Sequence, residues 1–398
     1  MISSNLAGPR ARVAAAVAAV LAAAGLGACA PSSGGQAGGG GDPLPSATVQ
    51  DAASFDLGAL VAAAKKEGSV LAYDGSGDVK DVAAAFTKKY GIKAEGMKSK
   101  AADTAEKMTR EAQAKNVTID VSLFEDGPML VGQLLPQKIV QTWIPPDLAA
   151  HIDEADRNPL MMLEKAYVFV YNPRLNPRGC PVRNLWELTE PRWKGKVMFQ
   201  DPLGKEVFTQ WFTQMSEQGG DRLTAAYGKL GKGALKVGED DPAREWVKRL
   251  AKNAPVLTTE DEDVATGVAA PNQTDTRIGL MSIAKFRDVE EKGFHMKVCE
   301  GLDPWAGFSY PKFATVATGS EHPNAAKLFV HFVLEKQGFE LESGSGGVSG
   351  NKSVGKSPNN PPGLTDWDGQ LFRFSSAKLR ADFAARQDIK DFWRINHR

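Results

Sequence analysis

Residues 56–73 read DLGALVAAAKKEGSVLAY and combine a helix with the strand that follows it. The helix begins at Asp56, whose side chain can cap the first turn, and ends at Gly68, a residue type that commonly closes helices. Residues 69–73 then form a short apolar run, which is typical of a buried strand. A helix that leads directly into a buried strand predicts an α/β fold.

The rest of the chain continues this alternation. The predicted helices cover residues 79–90, 104–115, 206–214, 241–252, 285–292 and 324–339, and the predicted strands lie at residues 92–94, 117–124, 278–282 and 313–317 and within 166–173 and 192–202. Strands that alternate with helices predict parallel βαβ units, whose ligands bind beyond the carboxyl ends of the strands. This rule indicates the turn after Tyr73 and residues 125–127, which follow Phe124.

The first 28 residues have the layout of an export signal. Arg10 and Arg12 precede an apolar run at residues 13–24, and small residues lead to Cys29. The run is shorter than the roughly 20 apolar residues that span a bilayer, so we predict a signal peptide over residues 1–28. The ending LGAC resembles the lipobox of bacterial lipoproteins, in which the cysteine receives a diacylglycerol. An ordinary secretory signal is the alternative.

Residues 29–55 are rich in Gly, Ser and Pro and are predicted to be a flexible tether. The whole chain has 398 residues, enough for two domains, with 48 basic and 48 acidic residues. Removal of the signal peptide would leave a small acidic excess, which argues against nucleic acid as a partner. The lipid on Cys29, not charge, is therefore expected to attach the protein to its membrane.

Two cysteines remain if Cys29 is acylated. In an exported protein, Cys180 and Cys299 could form a disulfide, or they could be two separate buried thiols. The sequence leaves both alternatives open. The five histidines are scattered along the chain, so a histidine-built metal site is not expected, and no cofactor is predicted.

Several short stretches, in order, resemble the solute-binding proteins of bacterial ABC importers. The nearest branch is the ferric-iron group, together with relatives that bind phosphorylated sugars, phosphonates or polyamines. The matching stretches, between residues 55 and 339, are AAAKKEG (62–68), FTKKYGI (86–92), WKGKV (193–197), IGL (278–280) and HPNAAKLF (322–329).

The resemblance implies a two-lobed periplasmic-binding-protein-like fold of type 2, with two crossing hinge strands and the ligand between the lobes. The first lobe is expected to comprise residues 56–168 and 313–350, and the second residues 169–312 and 351–398. The implied function is capture of a solute without catalysis by a monomer that delivers it to an ABC-transporter permease.

The resemblance leaves the ligand open. Ferric-iron members hold the metal through a histidine after the first strand, a later glutamate and two adjacent tyrosines. Here the turn after Tyr73 has no histidine, residues 281–286 contain no tyrosine, and only Glu125 falls where the family glutamate would be. Ferric iron needs hard anionic oxygens. A small organic solute is therefore favoured, with ferric iron or an iron chelate as the alternative.

Candidate ligand-binding residues follow the strand ends, apart from a tryptophan on a probable loop. They are Tyr73, Ser76, Gly77, Glu125, Asp126, Gly204, Lys205, Ser282 and Trp305. Lys205 suits an anionic group, whereas Glu125 and Asp126 suit a cation, so the sign of the ligand stays open. An exported enzyme that uses Glu125 or Asp126 as acid or base is the alternative from another functional class.

Two further motifs are interpreted as non-functional. Residues 350–357 match the P-loop pattern, but prolines at 358, 361 and 362 forbid the helix that this motif needs. The acidic run at residues 260–263 is predicted to be a solvated face, because adjacent carboxylates alternate in direction and rarely converge on one ion.

Overall fold

The computed structural model describes residues 44–47, 52–238, 240–344 and 346–397. The predicted signal peptide, Cys29 and most of the predicted tether lie outside the described residues. Within the described residues, none of the helices combines the length and apolar character that a membrane span requires.

The α-helices are numbered in chain order. They are α1 (Leu57–Glu67), α2 (Val79–Tyr90), α3 (Ala101–Ala114), α4 (Gly127–Met129), α5 (Glu206–Gln218), α6 (Gly220–Gly228), α7 (Pro242–Lys252), α8 (Asp261–Ala269), α9 (Asp288–Glu291), α10 (Pro323–Leu334), α11 (Lys336–Ser343), α12 (Trp367–Gln370) and α13 (Leu379–Asn396). Single turns of 3-10 or π helix connect several of them.

The strands belong to one sheet. They are β1 (Ser69–Asp74), β2 (Lys93–Lys98), β3 (Val121–Phe124), β4 (Val140–Gln141), β5 (Met161–Tyr171), β6 (Val197–Gln200), β7 (Val256–Thr258), β8 (Ile278–Ser282), β9 (Lys297–Val298), β10 (Gly307–Ala317), β11 (Val348–Ser349) and β12 (Leu371–Arg373). The order across the sheet is β2-β1-β3-β10-β5-β8-β6-β7. Pairs β1–β2, β1–β3, β6–β7 and β6–β8 are parallel, as the alternation of helices and strands predicted.

Two long antiparallel strands occupy the middle of the sheet. β5 and β10 contain 11 residues each and pair from Gly307 opposite Val168 to Phe313 opposite Met161. The backbones approach so closely that a Cβ added to Gly307 would lie 2.0 Å from the carbonyl oxygen of Tyr167. β10 also pairs with β3, and β5 also pairs with β8, so these strands connect the two halves of the sheet.

Different hydrophobic clusters cover the two halves. On the β1 side, α1, α2 and α10 pack together around Phe86, Phe329 and Phe332. On the β6 side, α5, α7 and α8 contribute to a cluster that includes Trp211 and Trp246. Large aromatic side chains are buried in both clusters, where each contributes a large apolar area to the packing of helices on the half-sheet.

The predicted helix and strand at residues 56–73 are confirmed. Asp56 Oδ1 accepts hydrogen bonds from the backbone nitrogens of Gly58 at 2.7 Å and Ala59 at 3.2 Å, and Gly68 ends α1 with φ of 81°. A glycine suits that left-handed conformation because it carries no Cβ. The local signals in this stretch were therefore sufficient to define both elements.

The structure explains two of the stretches that resemble solute-binding proteins. Glu67, at the end of α1, accepts hydrogen bonds from the backbone nitrogens of Asn324 and Ala325 and so caps α10. His322, just before that helix, contacts Ser69 at 3.2 Å and Asp120 at 3.2 Å. The two stretches AAAKKEG and HPNAAKLF therefore contact each other, where the end of α1 meets the start of α10.

Two helix predictions were wrong in detail. The single helix expected over residues 324–339 is divided into α10 and α11, because Glu335 has an extended conformation between them. Residues 285–292 form one 3-10 turn and the short helix α9. Residues 350–357 form turns without a following helix, and the side chain of Asn351 binds the carbonyl oxygen of Leu334, so the P-loop interpretation is rightly rejected.

The C-terminal segment packs against the body of the protein. The ring of Trp393 on α13 stacks on Phe212 with 5.7 Å between centroids. At the start of the same helix, Leu379 joins a third hydrophobic cluster with Leu130 and Phe313. α13 therefore contacts elements from both halves of the sheet.

Candidate ligand-binding site

A cavity of about 410 Å³ lies where the strands of both half-sheets end. Its wall contains residues that follow the carboxyl ends of β1, β2, β3, β6, β7 and β8. Its remaining wall comes from the middle of β5 and β10, through Lys165, Tyr167 and Tyr310. This location agrees with the rule that ligands of open α/β sheets bind beyond the strand ends.

Seven of the nine predicted ligand-binding residues line this cavity. They are Ser76, Gly77, Glu125, Asp126, Gly204, Lys205 and Ser282. The tertiary structure therefore brings together residues that are as far apart in the chain as Ser76 and Ser282. Their contact with a ligand remains a prediction.

Tyr73 and Trp305 do not line the cavity, and their prediction is corrected. Because side chains alternate along a strand, Tyr73 points to the opposite face of β1 from Asp74 and packs against a hydrophobic cluster. Trp305 is 2 % exposed and packs edge-on against Phe372, with the guanidinium of Arg222 4.9 Å from its ring centroid. It is a core residue with a cation–π partner.

Glu125 and Lys205 form an ion pair inside the cavity. Lys205 Nζ donates a hydrogen bond to Glu125 Oε2 at 2.6 Å. Burial alone would raise the pKa of Glu125, but the positive charges of Lys205 and Lys312 bring it down to about 2. Burial alone would lower the pKa of Lys205, but Glu125 raises it above its ordinary value. Both groups are therefore charged at neutral pH.

Asp126 has a structural role beside this pair. Its Oδ1 accepts hydrogen bonds from the backbone nitrogen of Met129 at 3.1 Å, from Gln210 at 3.3 Å and from Arg386 of α13. One carboxylate oxygen thus caps α4 and binds two other elements. These contacts hold the side chain of Asp126 in place, and the guanidinium of Arg386 balances its negative charge.

A buried ionic cluster lies beneath the β1 side of the cavity. Lys312 Nζ contacts Asp74 Oδ1 at 2.5 Å and also pairs with Glu342 of α11. Burial, and then the charge of Glu342, raise the pKa of Asp74 to about 8. Burial alone would lower the pKa of Lys312, but Asp74 and Glu342 raise it. One ammonium therefore lies between the carboxyl groups of Asp74 and Glu342, and the raised pKa of Asp74 favours its protonated form.

Lys165 extends this cluster into the cavity. Its Nζ lies 3.7 Å from Asp78 Oδ2 and 3.7 Å from Glu342 Oε1. Burial alone would raise the pKa of Asp78, but Lys165 and a hydrogen bond from Ser76 bring it below its ordinary value. Arg287, from the β8 side, lies 3.6 Å from Asp78 Oδ1.

The acidic run at residues 260–263 is not only a solvated face, and that interpretation is corrected. Asp261 lines the cavity at the first turn of α8, and its Oδ2 accepts a hydrogen bond from the backbone nitrogen of Ser282 at 3.0 Å. Burial raises the pKa of Asp261 to about 7 although Lys285 is nearby. Glu262 pairs with Lys285 at 2.7 Å. Helix geometry directs Asp261 inwards, which simple alternation did not predict.

The structure also places two tyrosines in the cavity wall. The ring centroids of Tyr167 and Tyr310 lie 5.5 Å apart, and the hydroxyl of Tyr167 donates to Gln200 Oε1 at 2.9 Å. Burial raises the pKa of both phenols well above 10.0, so they are neutral near pH 7. Sequence analysis missed Tyr167 and Lys165, although polar residues inside an apolar strand such as MMLEKAYVFVY signal a special environment.

Two further features concern covalent and metal chemistry. Cys180 and Cys299 form a disulfide, so the bridged alternative is the one that the structure contains. In the part of the chain that the structure describes, no group of three or more His, Cys, Asp or Glu residues is arranged to hold a metal ion.

The sequence profile of the family described as "Bacterial extracellular solute-binding protein" matches residues 81–365. The chain belongs to this family. Extracellular solute-binding proteins act outside the cytoplasm. Membership of the family therefore confirms two predictions from the sequence, solute binding as the class of function and an extracytoplasmic location. No curated protein matches this solute-binding protein in sequence.

Solved structures of other binding proteins share the fold. Iron-bound HitA from Pseudomonas aeruginosa is 20% identical, with a TM-score of 0.61 over 81% of this chain and 99% of that chain. AfuA from Actinobacillus pleuropneumoniae, with fructose-6-phosphate bound, is 17% identical, with a TM-score of 0.61 over 83% and 98%. A substrate-binding protein of an ABC transporter from Agrobacterium tumefaciens is 12% identical, with a TM-score of 0.63 over 83% and 94%. The expected periplasmic-binding-protein-like α/β fold is confirmed.

Proposed function

We propose that this solute-binding protein is the lipid-anchored receptor of an ABC importer and captures a small polar organic solute in the cavity. The observation that carries the proposal is the position of the cavity, at the ends of strands from both half-sheets and beside the two long connecting strands. A solute there would contact both halves of the molecule at once. Such contacts are what couples ligand capture to domain closure in periplasmic binding proteins.

The two lobes of the proposal follow the halves of the sheet. The first comprises residues 56–168 and 313–350, and the second residues 169–312 and 351–398. β5 and β10 cross between them and are the proposed hinge. Helix α13 packs against α5 and α7 of the second lobe and also against α4 of the first, so it is expected to limit the range of opening.

The proposal of a lipid anchor is based on the sequence alone. A diacylglycerol on Cys29 would hold the protein at the outer face of the membrane, and the part of the predicted tether before Leu44 would give the receptor freedom to reach its permease. The end of the predicted tether packs on the folded body, because the carbonyl oxygen of Pro45 accepts a hydrogen bond from Asn158 and the ring of Phe55 packs on Trp143. A monomer suffices for this role because the cavity is formed by one chain.

The alternative of an exported enzyme gains no support from the carboxylates on which it depended. Glu125, with a pKa of about 2, is a poor proton acceptor at neutral pH. Asp126 is engaged by Arg386, Gln210 and a helix N-terminus. Both carboxylates already serve the fold and the charge balance of the cavity.

Ferric iron is the second candidate ligand, because Tyr167, Tyr310 and Glu125 all line the cavity. Phenolate and carboxylate oxygens are ligands that ferric iron prefers. Against this candidate, burial keeps both phenols neutral and Lys205 already binds Glu125. Iron would have to displace two protons and one ammonium, which favours the organic solute.

The test is to identify the small molecule that remains bound after purification from a native host, by mass spectrometry of the denatured protein. A retained organic solute that also raises the melting temperature on re-addition, without being converted, supports the proposal. A solute that is chemically turned over would contradict it.

Iron is tested separately with ferric citrate. A coloured one-to-one complex that is lost in Tyr310→Phe and Tyr167→Phe would establish the ferric alternative. The organic proposal predicts a colourless protein with no change in melting temperature.

A further inference from the structure

Lys165 is a buried ammonium with unused hydrogen-bond donors. Its side chain is 5 % exposed and lines the cavity, and the nearest carboxylate oxygens, of Asp78 and Glu342, are each 3.7 Å away. Among the described residues, none accepts a side-chain hydrogen bond from Lys165 within 3.5 Å. Since an ammonium has three donors and burial makes each unmet donor costly, Lys165 is suited to an acceptor that enters the cavity.

A tyrosine side chain leaves the same face of the sheet as this ammonium. Tyr310 is opposite Lys165 in the pairing of β5 with β10, so the two side chains leave the sheet on the same face. Tyr310 is buried and lines the cavity, and its hydroxyl makes no side-chain hydrogen bond to any of the described residues. Lys165 and Tyr310 together form a pair of donors, which we call the donor pair.

An acceptor without a partner lies on the β8 side of the cavity. Asp261 uses Oδ2 to bind the backbone of Ser282, whereas its Oδ1 is buried and has no hydrogen-bond partner. An unsatisfied buried carboxylate oxygen is costly unless a donor reaches it. A hydroxyl or an ammonium on the solute would supply that donor.

The charges around the cavity limit the charge of the solute. The lining residues described by the structure include six basic and seven acidic side chains. Several of the acidic side chains are already paired with basic side chains of the protein, as in Glu125–Lys205, Glu262–Lys285 and Asp126–Arg386. The charge of Lys165 is itself shared between two carboxylates. With Arg386, which lies outside the wall, seven basic side chains balance the seven acidic ones, so the cavity suits neither a dianionic phosphate ester nor a polycation. Because Lys165 has no hydrogen-bonded acceptor among the described residues, the cavity is compatible with one negative charge on the solute.

We propose that the solute is a small monocarboxylate that carries hydroxyl or amino groups. Its carboxylate binds the donor pair of Lys165 and Tyr310, and its hydroxyl or ammonium group donates to Asp261 Oδ1. This inference rests on the proposed function and specifies the ligand class for the same cavity.

Thermal unfolding of the intact protein tests the inference with four sets of compounds. The first set contains gluconate, glycerate, serine and glutamine. The others contain glucose 6-phosphate and glycerol 3-phosphate, then putrescine and spermidine, and finally glucose and glycerol. The inference predicts stabilisation by the monocarboxylates alone. A comparison of the two hydroxy acids with the two amino acids then shows whether a hydroxyl or an ammonium group donates to Asp261.

Variants connect this effect to the named atoms. We expect Lys165→Gln and Asp261→Asn each to weaken monocarboxylate binding about 10- to 100-fold, the loss typical of hydrogen bonds to charged groups. Tyr310→Phe removes only one hydroxyl, which keeps the test valid if Lys165→Gln does not fold. Lys65→Gln, on the exposed side of α1, is the matched control and is expected to bind like the wild type.

The outcomes separate the two proposals. Stabilisation by phosphate esters, polyamines or neutral polyols would overturn the monocarboxylate inference and leave the receptor function intact. Monocarboxylate binding that persists in Lys165→Gln or, if that variant does not fold, in Tyr310→Phe would also overturn it. If the wild-type protein is stabilised by none of the four sets, the monocarboxylate inference is overturned, and the receptor function is decided separately by the solute that is retained after purification.

Discussion

Lys205 Nζ lies 2.6 Å from Glu125 Oε2, although 80 positions separate the two residues in the chain. Glu125 follows β3 in one half of the sheet, and Lys205 precedes α5 in the other. The pair is therefore a direct ionic contact across the cavity. It stabilises the observed arrangement of the two halves and sets the charge that a solute meets there.

Removal of the ammonium is expected to leave Glu125 as an uncompensated buried charge. For Lys205→Met we expect a loss of about 2 kcal/mol of unfolding free energy at pH 7, between the values for exposed and fully buried pairs. Urea unfolding measures this loss. In the double variant Lys205→Met/Glu125→Leu most of it should be recovered, because the unpaired carboxylate is gone. A single variant as stable as the wild type would show that the pair contributes nothing.

The same pair predicts a pH dependence. The pKa of Glu125 is about 2 in the folded protein and 4.5 as its ordinary value, so the unfolded state binds more protons between these limits. The contribution of Glu125 is therefore complete above pH 4.5 and is lost as the pH falls towards 2. Urea unfolding from pH 6 to pH 2.5 should show a steeper loss for the wild type than for Glu125→Gln. Parallel curves would contradict the depressed pKa.

His331 predicts the opposite pH dependence. Its Nε2 lies 2.9 Å from Asp147 and its Nδ1 3.2 Å from Glu335, which also pairs with Lys89. Burial alone would lower the pKa of His331, but Glu335 and Asp147 raise it above 6.5. The raised pKa means that the stabilisation is complete below pH 6.5 and is lost as the pH rises through the folded-state pKa.

For His331→Gln we therefore expect a loss of roughly 1.5–3 kcal/mol at pH 5.5, as for hydrogen bonds to charged groups, and a smaller loss at pH 9. Urea unfolding at both values measures it. His151→Gln, at an exposed histidine, is the control and should have little effect at either pH. An equal loss at pH 5.5 and pH 9 would mean that His331 acts through packing alone.

The disulfide is expected to stabilise the fold. Cys180 and Cys299 are 119 positions apart, and a loop of this length corresponds to about 4–5 kcal/mol in the chain-entropy model. The variant Cys180→Ala/Cys299→Ala should lose stability of that order in urea, and dithiothreitol should destabilise the wild type but not the variant. The acylated mature protein should contain no titratable thiol after denaturation. Two thiols per chain would contradict the bridge.

The lipid anchor is tested at the predicted lipobox. We expect Cys29→Ala to release the protein from the membrane without a change in its melting temperature, because Cys29 precedes the folded body. Fractionation of cells followed by a high-salt wash of the membranes measures retention. Sedimentation of the variant with salt-washed membranes would contradict lipid attachment at Cys29.

The sequence by itself determined the local elements and the general location of the cavity. Asp56 and Gly68 define the ends of α1 because capping depends on a few neighbouring residues. Ser76 and Glu125 were expected near a ligand because strands alternate with helices, and the carboxyl ends of parallel strands meet at one edge of a sheet. Both arguments use short-range patterns, which a single sequence contains.

The tertiary structure alone decided which side chains share the cavity and what charge each one carries. Lys312 and Asp74 are 238 positions apart, and Lys165 and Tyr310 become neighbours only through the pairing of β5 with β10. Tyr73 and Trp305 were misplaced because exposure depends on what packs against a side chain. Distances between charges, and their burial, set the pKa values of Glu125, Asp74 and Asp261, because ionisation depends on local fields and desolvation, which residue order does not specify.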